Sequence, residues 1–164
     1  MYKINDIVVY KRDVCRVKET VVSQRTGETC YILVPFNDES GMTKMIVPVA
    51  NAGGHLRDLL TEEEIEDLLS RAPAIETLAD KQANMKSQYV ALLRSDSLDD
   101  LICIIKTSYL RNKTRLDNHK KLAAIDGEYL QKAENYLFKE MSVAMGKSID
   151  ECRAYFAGKL NSAE

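Results

Sequence analysis

The first 50 residues alternate between short apolar runs and polar turns. Runs rich in β-branched and aromatic residues are typical of strands, and clusters of Gly, Asn, Asp and Ser between them are typical of turns. The predicted strands cover residues 7–10, 14–22, 30–36 and 42–49. Because short turns join neighbouring strands, the pattern indicates a small, strongly bent antiparallel sheet or barrel.

From residue 51 onward the apolar residues recur at helical spacing. The segments TEEE (residues 61–64) and SIDE (residues 148–151) have the S/T-x-x-E form of a capping box, which predicts the first turn of a helix. The predicted helices begin at about residues 61, 78, 98, 126 and 148. The second, fourth and last of them end near residues 94, 145 and 158.

Three of these helices carry an apolar stripe that predicts which side packs inward, and in the first helix it consists of Ile65, Leu68 and Leu69. The helix from residue 98 places Leu98, Leu101, Ile102, Ile105 and Tyr109 on one face. The helix from residue 126, with Asp126 as its predicted cap, places Leu130, Ala133, Leu137 and Met141 inward.

A break between two domains is predicted at residues 71–74, which contain Pro73. The predicted fold is therefore α+β. Residues 1–70 form a small antiparallel β-barrel with a closing helix, and residues 71–164 form an all-helical domain.

Composition narrows the class of protein. The chain has 164 residues, of which 45% are hydrophobic, so it has enough apolar residues for a core. No window approaches the ~18 apolar residues of a membrane span, and the N-terminus lacks the pattern of a secretion signal. The four cysteines are widely spaced without a C-x-x-C pair, which argues against a zinc site or a disulfide framework. We expect a cytoplasmic protein that holds no cofactor and no metal.

Residues that could support catalysis are scarce. The chain has two histidines: His55 follows Gly53-Gly54, and His119 lies among basic residues. Either could be catalytic, but a surface position is the favoured interpretation of both. No phosphate-binding loop, nucleophile elbow or zinc-protease pattern is present. The acidic residues of 62–67 suit a helix N-terminus better than a metal site. We therefore expect neither enzymatic activity nor a small-molecule substrate.

Charge is distributed unevenly along the chain. Residues 1–70 carry eight basic and twelve acidic side chains, whereas residues 71–164 carry fifteen and thirteen. Within residues 106–121, six basic side chains accompany one acid, Asp117; the basic residues are Lys106, Arg111, Lys113, Arg115, Lys120 and Lys121. This stripe is either a solvated helix face or the contact for an anionic partner.

The order and spacing of several segments resemble the CarD-like bacterial transcription regulators, whose N-terminal module is shared with the transcription-repair coupling factor. The opening YKINDIVVY (residues 2–10) is similar to the family's F-K-x-G-D-x-V-V-Y. Further similar segments are YILV (31–34), MTKMIVP (42–48), Asn51-Ala52 and LRD (56–58). In the helical part they are Tyr89 with Leu92, Leu93, Ser95 and Asp96, and later Leu130, Ala133, Leu137, Glu140 and Met141.

The resemblance implies a Tudor-like barrel that binds the RNA polymerase β subunit and a helical domain that contacts promoter DNA at the upstream edge of the melted bubble. Such proteins are not enzymes; they alter the stability of the open complex. The family's polymerase-contacting positions correspond to Ser23 and Ile46, and the nearest cations are Arg25 and Lys44.

On the DNA side, the resemblance assigns contacts to Lys86, Lys106 and Arg111. The charge pattern adds Lys113, which flanks the same edge of the apolar stripe as Lys106. The resemblance also assigns Met85, which stands where well-known members have a Trp that wedges into the minor groove. Met85 either fills that role or packs against the helices. A basic family position near the start of the fourth helix is Gly127 here. The missing Trp and this missing cation motivate an alternative, in which the protein binds polymerase without contacting DNA.

Overall fold

The structure is a computed structural model that describes residues 1–38, 40, 42–78 and 84–161. It divides into two compact units, Met1–Leu59 and Leu60–Glu164. The first unit is an antiparallel sheet and the second is built from helices, so the predicted α+β class is confirmed.

The sheet unit contains five strands. They are β1 (Ile7–Tyr10), β2 (Asp13–Val22), β3 (Thr29–Pro35), β4 (Met45–Pro48) and β5 (Leu56–Asp58). They pair in the order β4-β3-β2-β1-β5, with every neighbouring pair antiparallel. Strands β4 and β5 are the two edges, and the described strands form an open sheet. The register of β2 against β3 shifts between Val17 and Glu19, which marks a β-bulge and a local bend.

Short-range geometry explains the first hairpin. Tyr10 pairs with Asp13, so Lys11 and Arg12 form a two-residue turn, and their φ angles are 46° and 74°. Positive φ at both central residues is the property of the type I′ turn, whose twist suits a tight hairpin. The short turn predicted between the first two strands is therefore confirmed.

One side of the sheet buries an apolar cluster. Its buried members are Val8, Cys15, Val17, Tyr31, Leu33, Val47 and Leu56. At its margin the ring of Tyr2 makes an edge contact with that of Tyr31, and the Tyr2 hydroxyl donates to Asp58 at 2.7 Å. Burial and this hydrogen bond raise the pKa of Tyr2 to about 12.

The helical unit contains five α-helices. They are α1 (Glu62–Arg71), α2 (Met85–Arg94), α3 (Leu98–Asp117), α4 (Ala124–Met145) and α5 (Ile149–Asn161), with a 3₁₀ turn at Ala72–Ala74. Both predicted capping boxes are confirmed: Thr61 and Glu64 exchange hydrogen bonds, and so do Ser148 and Glu151. Helix α4 ends at Gly146, whose φ of 67° suits a residue without a side chain.

The helical core agrees with much of the predicted pattern. Its largest fully buried members are Tyr89, Phe138, Ile65, Leu69, Leu101, Ile102, Ile104, Leu137 and Met141. All four cysteines are buried and free. Burial raises the pKa of the thiols of Cys103 and Cys152, which keeps both protonated and unreactive.

Several predicted elements differ from the structure. Residues 51–60 are not helical, because β5 lies there. The second helix begins at Met85 rather than near Leu78, and residues 79–83 of the predicted helix lie outside the described residues. Asp126 is not a cap; it lies in the first turn of α4, where Ala123 is the cap residue. The last helix continues past Gly158 to Asn161.

The division between the units also differs from the predicted boundary after residue 70. Helix α1 packs into the helical core through Ile65, Leu68 and Leu69, and its neighbour Ala72 is buried there too. Leu60, which precedes α1, donates its N–H to the buried Glu140 at 3.1 Å. Helix α1 therefore belongs to the second unit.

Candidate partner-binding surfaces

The outer face of the sheet carries exposed apolar surface. In an antiparallel pair, residues directly opposite one another share a face. Glu19 lies opposite Ile32 and Ile32 lies opposite Ile46, so these side chains form one row across β2, β3 and β4. The adjacent row contains Tyr31 and Val47, which are buried in the core. Ile46 therefore points away from the core, and it is 66% exposed.

Another row extends this face. Val21 lies opposite Cys30, and Cys30 lies opposite Pro48. Val22, one residue further along β2, belongs to the opposite face and is 65% exposed. Ile46 and Val22 are thus equally exposed apolar side chains on the two faces of one sheet.

Ser23 and Arg25 lie in the turn between β2 and β3. Ser23 organises that turn: its N–H donates to the Glu28 carbonyl at 2.8 Å, and its own carbonyl accepts from Gly27 at 2.8 Å. Its hydroxyl accepts from the Thr26 N–H at 3.4 Å. Arg25 is exposed in the same turn, so its guanidinium is available to a partner.

Lys44 lies level with the opposite end of β3 from the Ser23 turn. It directly precedes β4, whose first residue Met45 lies opposite Leu33. Five residues of extended strand span about 17 Å, which is roughly the distance along β3 from the Ser23 turn to the level of Lys44. The structure therefore places Ile46 between two exposed cations, Arg25 and Lys44, rather than bringing all four predicted contacts into one cluster.

Met85 is a core residue in the helical unit. It begins α2 after Asn84, whose φ of 73° turns the chain into the helix, and it is only 7% exposed. Its neighbour Lys86 is exposed. Of the two interpretations of Met85 left open by the sequence, the structure favours packing among the helices.

Lys106 acts as a link inside the helical unit. Its ammonium donates to three carbonyls around the 3₁₀ turn, those of Ala72 at 2.9 Å, Pro73 at 3.1 Å and Ile75 at 2.6 Å. An ammonium group has three N–H donors, so these contacts use all of them. The ammonium of Lys106 therefore holds the end of α1 against α3, and it has no N–H left for another partner.

Arg111 belongs to a buried polar cluster. Its Nε donates to Asp126 Oδ1 at 3.1 Å, and the hydroxyl of Tyr89 donates to the same oxygen at 2.7 Å. Asp126 is completely buried, and the Arg111 side chain is 12% exposed. The ring of Tyr89 stacks on that of Tyr129, with centroids 5.3 Å apart. Burial and the bond to Asp126 raise the pKa of Tyr89, so its hydroxyl remains a donor.

The C-terminal half of α3 is different. Lys113 is exposed and forms no ion pair with another described residue. Tyr109, which the sequence pattern predicts to face inward, is 63% exposed, and Leu116 is 59% exposed. The prediction for Tyr109 is wrong because the part of α3 that is buried all round ends at Ser108.

The remaining candidates for chemistry are the histidines and the potential metal ligands among the described residues. His55 is half-buried in the loop before β5, and His119 is exposed just after α3 with a φ of 56°. Among the residues that the structure describes, no group of three or more His, Cys, Asp or Glu side chains is arranged to hold a metal ion. Within the same residues, no helix has the length and apolar character needed to cross a membrane.

Comparison with known proteins adds no assignment: no protein-family model matches the chain, and no curated protein matches its sequence.

Proposed function

We propose that this protein is a transcription regulator of the CarD-like kind. In this proposal, the sheet unit is a Tudor-like module that binds the RNA polymerase β subunit, and the helical unit contacts promoter DNA at the upstream edge of the melted bubble. The observation that carries the proposal is the outward row through Ile32 and Ile46, which supplies an apolar centre for a protein contact.

The surroundings of Ile46 support a protein partner. Interfaces of this kind combine an apolar centre with a polar rim. Here Arg25 and Lys44 are exposed on either side of Ile46, and neither forms an ion pair with another described residue. Strand β4 is also an edge of the sheet, with one of its sides unpaired among the described strands.

The energetic requirement is modest. Docking of the sheet unit on polymerase raises the local concentration of the helical unit near the bubble, so weak DNA contacts suffice. A coupling of about 1–2 kcal/mol changes the ratio of open to closed complexes by roughly 5- to 30-fold. Two or three exposed cations on the helical unit, such as Lys86 and Lys113, are on the right scale for such a bias.

A second candidate is a module that binds polymerase without touching DNA. The structure offers one observation in its favour: three of the five predicted DNA contacts are committed inside the helical unit. Met85 is buried, Lys106 donates to three carbonyls, and Arg111 pairs with the buried Asp126. Lys86 and Lys113 remain on the surface.

The polymerase contact is tested by co-elution of the full chain with a fragment of the β subunit that contains its lobe. We expect Ile46→Glu to weaken binding at least tenfold, because a carboxylate cannot be buried in an apolar contact. Lys44→Glu should weaken it less. Val22→Glu is the matched control, since Val22 is equally exposed on the opposite face. Equal binding by Ile46→Glu and Val22→Glu would contradict the proposed surface, and no binding by the unaltered protein would contradict the function.

The two candidates are separated by the lifetime of the open complex at saturating protein. The double variant Lys86→Glu/Lys113→Glu keeps the core intact, whereas reversing the charge of Lys106 or Arg111 would unfold the helical unit and confuse the result. A lifetime that differs from that with the unaltered protein, at unchanged polymerase binding, supports the DNA contact. An unchanged lifetime supports the second candidate.

A further inference from the structure

The C-terminal half of α3 presents a large aromatic and aliphatic surface to solvent. At 100° per residue, Tyr109, Lys113 and Leu116 lie within an arc of about 60° on one side of the helix. Tyr109 is 63% exposed and Leu116 is 59% exposed. Leu122, in the loop that follows, is 53% exposed.

Cations surround this surface. Lys113 lies between Tyr109 and Leu116 on the helix, and Lys120 and Lys121 follow its end; all three are exposed. None of them forms an ion pair with another described residue. Asp117 is the single acidic residue between residues 106 and 121, so this segment has a net positive charge.

The end of α3 holds Lys120 in place. His119 adopts the left-handed conformation, with a φ of 56°. The N–H of Lys120 donates to the carbonyl of Arg115 at 2.7 Å, and that of His119 donates to Leu116 at 3.0 Å. This is the pattern of a Schellman C-cap, which fixes the chain direction after a helix. The backbone of Lys120 is therefore fixed one turn beyond Leu116.

We propose that this surface, the Tyr109 face (Tyr109, Lys113, Leu116, Lys120 and Lys121), binds an unpaired stretch of nucleic acid. The ring of Tyr109 stacks on an unpaired base, Leu116 packs beside it, and the three lysines contact the flanking phosphates. An exposed aromatic ring among cations is the arrangement by which proteins bind single strands. The inference rests on the proposed DNA contact and assigns it to residues of α3 that remain exposed.

Two features favour a nucleic acid over another occupant. In a symmetric dimer through this face, the lysines of the two copies would be brought together, which is unfavourable. Stacking on a base also accounts for an aromatic residue at the most exposed of these apolar positions.

The test is fluorescence anisotropy of a labelled 20-nucleotide single strand, with the full chain at low salt and without polymerase. We expect the single strand to bind more tightly than the matching duplex. Tyr109→Ala should weaken single-strand binding by about 5- to 150-fold, which corresponds to the loss of one stacked base, and Tyr109→Phe should retain it. Because Tyr109 is exposed, neither change disturbs the core.

A charge-matched pair of variants isolates the lysines. Lys113→Glu/Lys120→Glu should reduce the slope of log affinity against log salt by about 1.4, as expected for two lost phosphate contacts on a single strand. Lys3→Glu/Lys18→Glu changes the net charge equally in the sheet unit, and it should leave the slope unchanged.

Three results would overturn the inference. They are equal binding by Tyr109→Ala and Tyr109→Phe, equal salt slopes for the two charge-matched variants, and displacement of the oligonucleotide by poly-glutamate at equal charge, which would indicate an acidic protein partner. Binding to polymerase is measured separately. Loss of the Tyr109 effect with intact polymerase binding removes this inference alone, and loss of polymerase binding with an intact Tyr109 effect removes the proposed function alone.

Discussion

Three basic side chains along α3 show how far the role of a cation depends on what lies beside it. Lys106 and Arg111 are held by carbonyls and by a buried carboxylate, whereas Lys113 is exposed. In the sequence the three look alike, because each is a basic residue of the same helix and all three lie close together. The carbonyls around residue 73 and the carboxylate of Asp126 come from distant segments, so the difference appears only when the chain is folded.

The pairing of Arg111 with Asp126 predicts a large effect on stability. We expect Arg111→Ala to lower the free energy of unfolding of the helical unit by about 3 kcal/mol, because it leaves a buried carboxylate without its cation. Lys113→Ala, two residues further along the same helix, should change it by less than about 0.5 kcal/mol. Urea denaturation followed by circular dichroism measures both. Equal effects would show that the buried pair does not stabilise the fold.

The raised pKa of Tyr89 predicts a dependence of stability on alkaline pH. A tyrosine whose pKa is higher in the folded state contributes its full stability below the unfolded pKa of about 10 and loses it as the pH rises above that value. Tyr89→Phe removes the bond to Asp126, so we expect it to be less stable by about 1 kcal/mol at pH 7. The difference from the unaltered protein should shrink between pH 10 and 11 in urea titrations. A constant difference would contradict the assignment.

Most helices and strands could be predicted because they depend on local pattern. The capping boxes at Thr61 and Ser148 act over three residues, and both were readable from sequence. The sequence pattern does not predict strand β5, because β5 has three residues and is stabilised through its pairing with β1. The spacing of apolar residues is a local signal, so it cannot reveal a short strand whose pairing partner lies about 50 residues earlier in the chain.

The helix α3 shows a different limit. Its apolar stripe predicts one inward face from Leu98 to Tyr109, yet residues 101–105 are buried all round and Tyr109 is exposed. A helical wheel shows which residues share one side of a helix. It does not show how far along that helix the neighbouring helices extend, and this decides whether a residue such as Tyr109 is buried. The candidate surfaces depend on the same information: the alternation of β4 permits Ile46 to face outward, and only the register with Ile32 decides it.

The two units each have an apolar core of their own, which predicts where the chain can be divided. We expect a fragment of residues 60–164 to unfold cooperatively on heating. A fragment of residues 71–164 should not, because it lacks Ile65, Leu68 and Leu69, each at most 2% exposed in the helical core. Burial of three such side chains contributes about 5–9 kcal/mol, which is comparable to the stability of a whole domain.

Thermal melts followed at 222 nm compare the two fragments directly. Equal transition temperatures for the two fragments would show that α1 is not needed for the helical unit and would support a boundary at residue 70. The sequence pattern predicts a boundary there because Pro73 is typical of the end of a helix. In the structure, however, the proline lies in a 3₁₀ turn that continues α1. Its neighbour Ala72 is buried with the helices.

The order of strands has a consequence for synthesis on the ribosome. Strands β1 to β4 follow one another in sheet order, so each can pair with the previous strand as it leaves the ribosome. The other side of β1 stays unpaired until β5 has been synthesised. Translation at roughly 5–20 residues per second separates the end of β4 from Asp58 by about a second. During that interval β1 is the unpaired edge in place of β5, and a chaperone or another nascent chain can add a strand to it.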